Sequence, residues 1–174
     1  MTEQLPIETT WLMARTEGST HLWQTQSDEM VAALPYLRAT VVHVVALHDG
    51  TLSARQAACD SFVATFDRPA DAVSCALQLQ LTPLDPFDLC IGIHRIRTGA
   101  RCLRDIAHGG QTLVSGATAA SADDLPSGAT LKHLGDHRMD NAAHQILQLC
   151  HPGLRRYPPA TRMPKPLLAE VLTN

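Results

Sequence analysis

Trp11-Leu12-Met13-Ala14-Arg15-Thr16-Glu17-Gly18-Ser19-Thr20-His21-Leu22-Trp23 is the stretch that decides how this chain is read. The apolar run Trp11 to Ala14 predicts a strand, Glu17-Gly18-Ser19-Thr20 a short polar loop, and His21-Leu22-Trp23 the opening of an amphipathic helix. The first N–H groups of a helix lack partners and point outward, so such a loop can hold phosphates through its backbone. An enzyme that handles phosphate with a metal normally places an acid at the end of such a strand. Here the residue is Arg15, so a fixed positive charge stands at the metal position. A plainer reading of the loop also exists: Ser19 or Thr20 caps the helix and Gly18 allows the turn.

Outward from this stretch the pattern alternates between the two periods. Ser27-Asp28-Glu29 reads as a capped helix start, and Met30, Val31, Leu34, Leu37, Val41, Val44, Val45 and Leu47 recur at three- and four-residue spacing. Pro35 should kink that helix or mark a restart. Its end falls at His48-Asp49-Gly50, with Gly50 expected in the left-handed conformation. Short strands are expected around Leu52 and over Phe62 to Phe66, and an amphipathic helix over Pro69 to Leu81. A buried strand is expected over Phe87 to Ile96 and a helical piece from about Ala100 to Ala107. Then come a strand from Gln111 to Val114, a helix opened by Ser115, and strands near Leu131 and from Gln145 to Leu149. Hairpin-like pairs mixed with crossovers predict an α+β sandwich rather than a doubly wound parallel sheet. Residues 1–154 read as one domain and 155–174 as an extended Pro-rich tail carrying Arg155, Arg156, Arg162 and Lys165.

Composition narrows the classes. The 174 residues are 45% hydrophobic, enough for one globular core. With 18% charged residues and a net charge of −3, a broad nucleic-acid-binding face is not expected. The five cysteines, Cys59, Cys75, Cys90, Cys102 and Cys150, form no C-x-x-C pair, and they read as reduced thiols filling apolar space. No apolar stretch is expected to reach the ~20 residues of a membrane helix, and no leading segment resembles a signal peptide. The expectation is a cytoplasmic protein with no membrane contact. Among the nine histidines, neither His43 and His48 nor His133 and His137 read as an i, i+4 pair on a common helix with a carboxylate partner, so a zinc site is not expected.

Ordered landmarks now accumulate: Glu17 to Trp23, Cys59-Asp60-Ser61-Phe62-Val63-Ala64-Thr65-Phe66, Ala70-Asp71-Ala72-Val73, Ala107-His108-Gly109-Gly110-Gln111, Leu134-Gly135-Asp136-His137-Arg138, and Gln148-Leu149-Cys150-His151-Pro152. Together they resemble the class III adenylate/guanylate cyclase homology domain over Trp11 to Leu154. The resemblance is to the actinobacterial group found at the front of LuxR-type transcriptional regulators. It implies a ferredoxin-like βαβ-βαβ sandwich whose mostly antiparallel sheet is packed with helices. It also implies a two-metal site built on two aspartates.

The resemblance places Arg15 at the first of those aspartates and Asp60 at the second, as the single remaining metal ligand. Gln56 falls on the purine-selecting Lys, Thr98 on the ribose-orienting Asn, and Cys102 on the Arg that steadies the transition-state phosphate. A hairpin that helps clasp a second subunit is missing between His94 and Thr98. Arginine cannot shed its proton to become a ligand. Removing one electrostatic contact of this kind costs ~3 kcal/mol of transition-state stabilisation. The expectation is therefore a degenerate cyclase domain acting as a regulatory or protein-interaction module, without catalytic residues or cofactor. Mg²⁺ or Mn²⁺ would enter only with residual cyclase activity. Glu17, Gly18, Ser19 and Thr20 remain phosphate-binding candidates, and an Arg15–Asp60 salt bridge is the structural alternative for that pair. A protein partner is expected, for example a separate ATPase/helix-turn-helix regulator. A homodimer is the family default and a monomer the alternative.

Overall fold

A computed structural model describes residues 8–53, 61–139 and 141–154. Gln56, Cys59, Asp60 and the Pro-rich tail lie outside the described residues. In chain order the elements are β1 (Thr10–Thr16), α1 (Ser19–Thr25), α2 (Ser27–Leu47), β2 (Thr51–Leu52), β3 (Ser61–Phe66), α3 (Pro69–Leu81) and β4 (Leu89–His94). They continue with α4 (Arg97–Ile106), β5 (Thr112–Ser115), α5 (Gly116–Ala120), β6 (Thr130–Met139) and β7 (Ala142–Cys150). The strands form one seven-stranded sheet in the order β2-β3-β1-β4-β5-β7-β6. Every pairing is antiparallel except β4 with β5, which α4 joins as a crossover. The α+β sandwich read from the sequence is the architecture observed.

Side chains of successive strand residues point to opposite faces, so the sheet divides its apolar residues between two layers. Leu12 and Ala14 of β1, Phe62, Ala64 and Phe66 of β3, and Leu89, Ile91 and Ile93 of β4 join the stripes of α2 and α3 in the main core. On the other face Met13 and Val63 meet Ala100, while Cys90, Leu113 and Ile146 meet Leu103 and Ala107, all beneath α4. Being covered on both sides explains why all six residues of β4, Leu-Cys-Ile-Gly-Ile-His, are buried.

Several boundaries differ from expectation. α2 begins after Gln26 with no side-chain cap; Asp28 and Glu29 instead place acid in its first turn, where the helix dipole favours it. It runs as one element through Pro35, whose ring lies on the exposed side. The left-handed residue after it is Asp49 (φ 58°), not Gly50. Gly50 is needed for space: a Cβ there would lie 2.5 Å from the Phe66 ring. α2 is also long and apolar enough, by length and composition, to cross a membrane, contrary to the expectation that no stretch would be. In the fold its inner stripe, Met30, Leu37, Val41, Val44 and Val45, is packed into the core. α4 starts at Arg97, three residues before the expected Ala100. The last two strands make a longer ladder than expected, with Leu134 to Arg138 inside β6 and a bulge between His133 and Gly135.

Candidate functional site

Arg15 is the penultimate residue of β1, paired with Ser61 of β3 on one side and Cys90 of β4 on the other. Alternation along the strand sends Trp11, Met13 and Arg15 to the face that α4 covers. Gly92 sets how closely α4 lies on this face. A Cβ there would meet the Ala100 carbonyl oxygen at 2.2 Å and the Arg104 amide nitrogen at 2.4 Å. The last turn of α4 therefore rests over the end of β1. Arg15 Nε lies 3.7 Å from Asp105 Oδ1, and Arg104 Nη2 lies 3.0 Å from the same oxygen. One carboxylate is shared by two guanidinium groups at the rim of the sheet. Beneath them the Cys90 thiol is pushed up to about 11, chiefly by burial; Arg15 and Arg104 pull it down while Asp88 and Asp105 push it up.

The polar loop after β1 is tied to the loop after α4. Glu17 N donates to Asp88 O at 2.9 Å, and Gly109 N donates to Glu17 Oε2 at 2.9 Å. A Cβ on Gly109 would crowd Glu17 Oε2 and lie 2.8 Å from Asp88 Cβ, so any larger residue there makes the loop shift. His108 N donates to Gln111 Oε1, whose amide donates to Gln148 Oε1, each at 2.9 Å, fixing the base of the loop. Gly18 is the N-cap of α1 with φ 65°, and nothing lies within 4 Å of where its Cβ would be. Its glycine is demanded by backbone conformation alone. Ser19 and Thr20 are the first two residues of that seven-residue helix.

Thr98 and Cys102 both fall on α4, at successive turns. Thr98 is exposed and Cys102 is half-buried against the cluster of Cys90, Leu103 and Ile146. Thr98 is seven residues from Asp105, about 10 Å along the axis, so it is not brought to Arg15. Beside Thr98, Arg97 stacks over the Trp11 ring at 5.6 Å. β4 passes to α4 through Arg95 and Ile96 alone. Arg95 there reaches Glu8 at 3.0 Å and also Ser121 Oγ.

The structure thus gathers Arg15, Glu17 and Gly18 at one end of β1 and leaves Thr98 at the far end of α4. Gln56 and Asp60 are outside the described residues. Among the described residues the charged partner of Arg15 is Asp105, which sequence reading did not single out. Nothing in local spacing links residues 15 and 105; only the close packing licensed by Gly92 does. A cavity of about 220 Å³ lined by Thr82, Asp85, Phe87, Asp88 and Gly110 lies beyond the end of α3, and none of the sequence candidates lines it.

With this geometry in view, the likenesses to other proteins are interpretable. The fold is similar to adenylate cyclases from Trypanosoma brucei in their monomeric state, with a TM-score of 0.74 and 18% identity over 90% of this chain and 95% of that one. It is similar also to an adenylate/guanylate cyclase/hydrolase from Silicibacter pomeroyi, with a TM-score of 0.66 and 21% identity over 81% and 95%. Identities this low establish the fold alone. No protein-family model matches the chain. In sequence it is 40% identical over 168 residues to the uncharacterized protein Rv0891c of Mycobacterium tuberculosis, covering 86% of this chain and 59% of that relative's length. To the uncharacterized protein Rv1359 of the same organism it is 41% identical over 175 residues, covering 88% and 70%. The chain belongs to the protein family represented by Rv1359, and it carries the nucleotidyl cyclase fold.

Proposed function

We propose that this nucleotidyl cyclase-like domain is catalytically degenerate and works as a regulatory or protein-interaction module in signalling or transcriptional control. Its partner is another protein, such as a separate ATPase/helix-turn-helix regulator. The observation that carries this reading is Arg15 at the end of β1, 3.7 Å from Asp105, the carboxylate it shares with Arg104. Two-metal chemistry needs carboxylate oxygens at that place. A guanidinium has no lone pair to give and repels a divalent ion. Among the described residues there is no group of three or more His, Cys, Asp or Glu that could hold a metal ion. Asp60 is the one carboxylate that the resemblance leaves for it.

What the face offers instead is cationic. Arg97, Arg101 and Arg104 recur at i, i+4 and i+7 along α4, and Arg104 shares Asp105 with Arg15 of β1. That spacing suits an acidic segment of a partner laid along the helix.

Gly18, with open space around a left-handed backbone, favours a second reading. In it the loop still admits a nucleotide, and the domain is a weak adenylate/guanylate cyclase with rearranged residues, converting ATP or GTP to cyclic nucleotide and pyrophosphate. Incubating the purified chain with ATP or GTP and Mn²⁺ separates the two. The first reading predicts no cyclic nucleotide above a protein-free blank. Product that disappears in Asp60→Ala assigns the second.

A further inference from the structure

Among the described residues nothing covers a long face of α2, on the side of the sheet opposite α4. Val31, Tyr36, Val42 and Leu47 are 59%, 57%, 56% and 55% exposed. Between Glu29 and Asp49 the sole charged side chain is Arg38. A surface helix ordinarily sets charged residues opposite its buried stripe; α2 is apolar on both sides.

The outer residues keep a register. Ala32, Ala39 and Ala46 recur every seven residues, with Pro35 and Val42 in phase between them, and all five are exposed. A seven-residue repeat alternating in steps of three and four is the spacing that keeps a seam facing another helix. Small residues at three of the five positions let a second helix come close.

We propose that this seam is occupied by α2 of a second copy of the chain, packed antiparallel about a two-fold axis. Self-pairing in that sense sets Ala32 against the partner's Val42 and Pro35 against the partner's Ala39, large against small, each contact made twice. It also opposes the helix dipoles and brings the acidic first turn, Asp28 and Glu29, within a turn of the partner's His43, whereas parallel pairing stacks acid on acid. A membrane surface suits the seam less, because Asp28, Glu29 and Asp49 flank it and Arg38 is its one cation. The seam from Asp28 to Ala46 is about 27 Å long and about 10 Å wide. It buries roughly 600 Å² over both copies, below the ~1,200 Å² of stable complexes, so the dimer is weak and reversible. The proposal does not depend on the α4 face, which stays open in such a dimer.

Sedimentation of the full chain from about 5 to about 500 μM tests it, since a small interface dissociates within that range. The weight-average mass should climb from 18.9 kDa toward twice that value. Val42→Glu, a change at an exposed position, should keep its circular dichroism and urea midpoint but stay monomeric throughout. A second variant carries Ala32→Cys and Val42→Cys. These positions lie about 15 Å apart along one helix, too far to bridge within a chain, so mild oxidation should give an intermolecular disulfide absent from wild type. A constant 18.9 kDa mass for wild type overturns the proposal. So does equal dimerisation of Val42→Glu, or binding of the monomer to anionic vesicles through α2.

Discussion

Replacing Gly92 by alanine probes the contact that holds α4, and with it Arg104 and Asp105, over Arg15. The new methyl carbon would lie 2.2 Å from Ala100 O, 2.4 Å from Arg104 N and 2.8 Å from Leu103 Cβ. Two of those three neighbours are backbone, so no rotamer change relieves them. The helix must retreat by about 1 Å to restore ordinary contact. A gap of that size forfeits a quarter to a half of each dispersion contact beneath α4, where Cys90, Leu103, Leu113 and Ile146 meet. Overpacking of this kind costs ~1–3 kcal/mol, and backbone neighbours put Gly92→Ala at the upper end. With a urea dependence of ~1–3 kcal/mol/M, the midpoint should fall by about 1 M or more. Urea unfolding followed by tryptophan fluorescence is the assay; Trp11 lies under Arg97 of α4, so a displaced helix also changes the native-state emission. Gly18→Ala is the comparison, since its site is open and its cost is conformational alone, ~1–2 kcal/mol. If Gly92→Ala unfolds within ~0.5 kcal/mol of wild type, the packing argument is wrong.

Other outcomes follow from the same contacts. Arg15→Ala should change stability by less than ~1 kcal/mol, because the pair it breaks is 3.7 Å long and its side chains are 30% and 51% exposed; urea titration checks this. Glu17→Gln should cost ~1 kcal/mol by weakening a charge-assisted bond to Gly109 N, and Glu17→Ala more, again read by urea. Burial raises the Cys75 thiol to about 12 and the Cys90 thiol to about 11, so at pH 8 a thiol reagent should label half-buried Cys102 and Cys150 while sparing both. The folded state holds the Cys75 proton more tightly than the unfolded chain does. This group therefore leaves stability unchanged below pH ~9 and lowers it as pH rises from there toward 12, and Cys75→Ala should remove its share of the slope.

The strength of the periodic signal decided which elements were legible in the sequence. Pro69 to Leu81 reads with the observed bounds because Pro69 opens the helix and its small apolar face repeats without interruption. The sheet-forming runs around Leu12, Phe62 and Ile91 were legible for the same reason. The start of α4 is not legible because Arg97 and Thr98 carry no apolar signal; Gly92 and Gly99, which seat that helix against the strand and the His94 ring, act through space. The pattern points to Gly50 as the left-handed residue, but the structure puts Asp49 there and Gly50 where the Phe66 ring claims the volume beside it. At the candidate site, the cation at Arg15 and a turn at Gly18 are readable locally; the left-handed conformation of Gly18 is not. The tie from Glu17 to Gly109 and the approach of Asp105 to Arg15 span about ninety residues, and no local pattern encodes them.

The proposed degeneracy turns on Arg15: a guanidinium at the end of β1 leaves no carboxylate there for a divalent metal. Titrating Mn²⁺ into the full chain with a non-hydrolysable ATP analogue, followed by electron paramagnetic resonance, tests it most directly. The expected result is a free-Mn²⁺ signal that the protein leaves undiminished beyond what the nucleotide alone removes, in wild type and in Asp60→Ala alike. Two protein-dependent Mn²⁺ ions per nucleotide site, lost in Asp60→Ala, would contradict it.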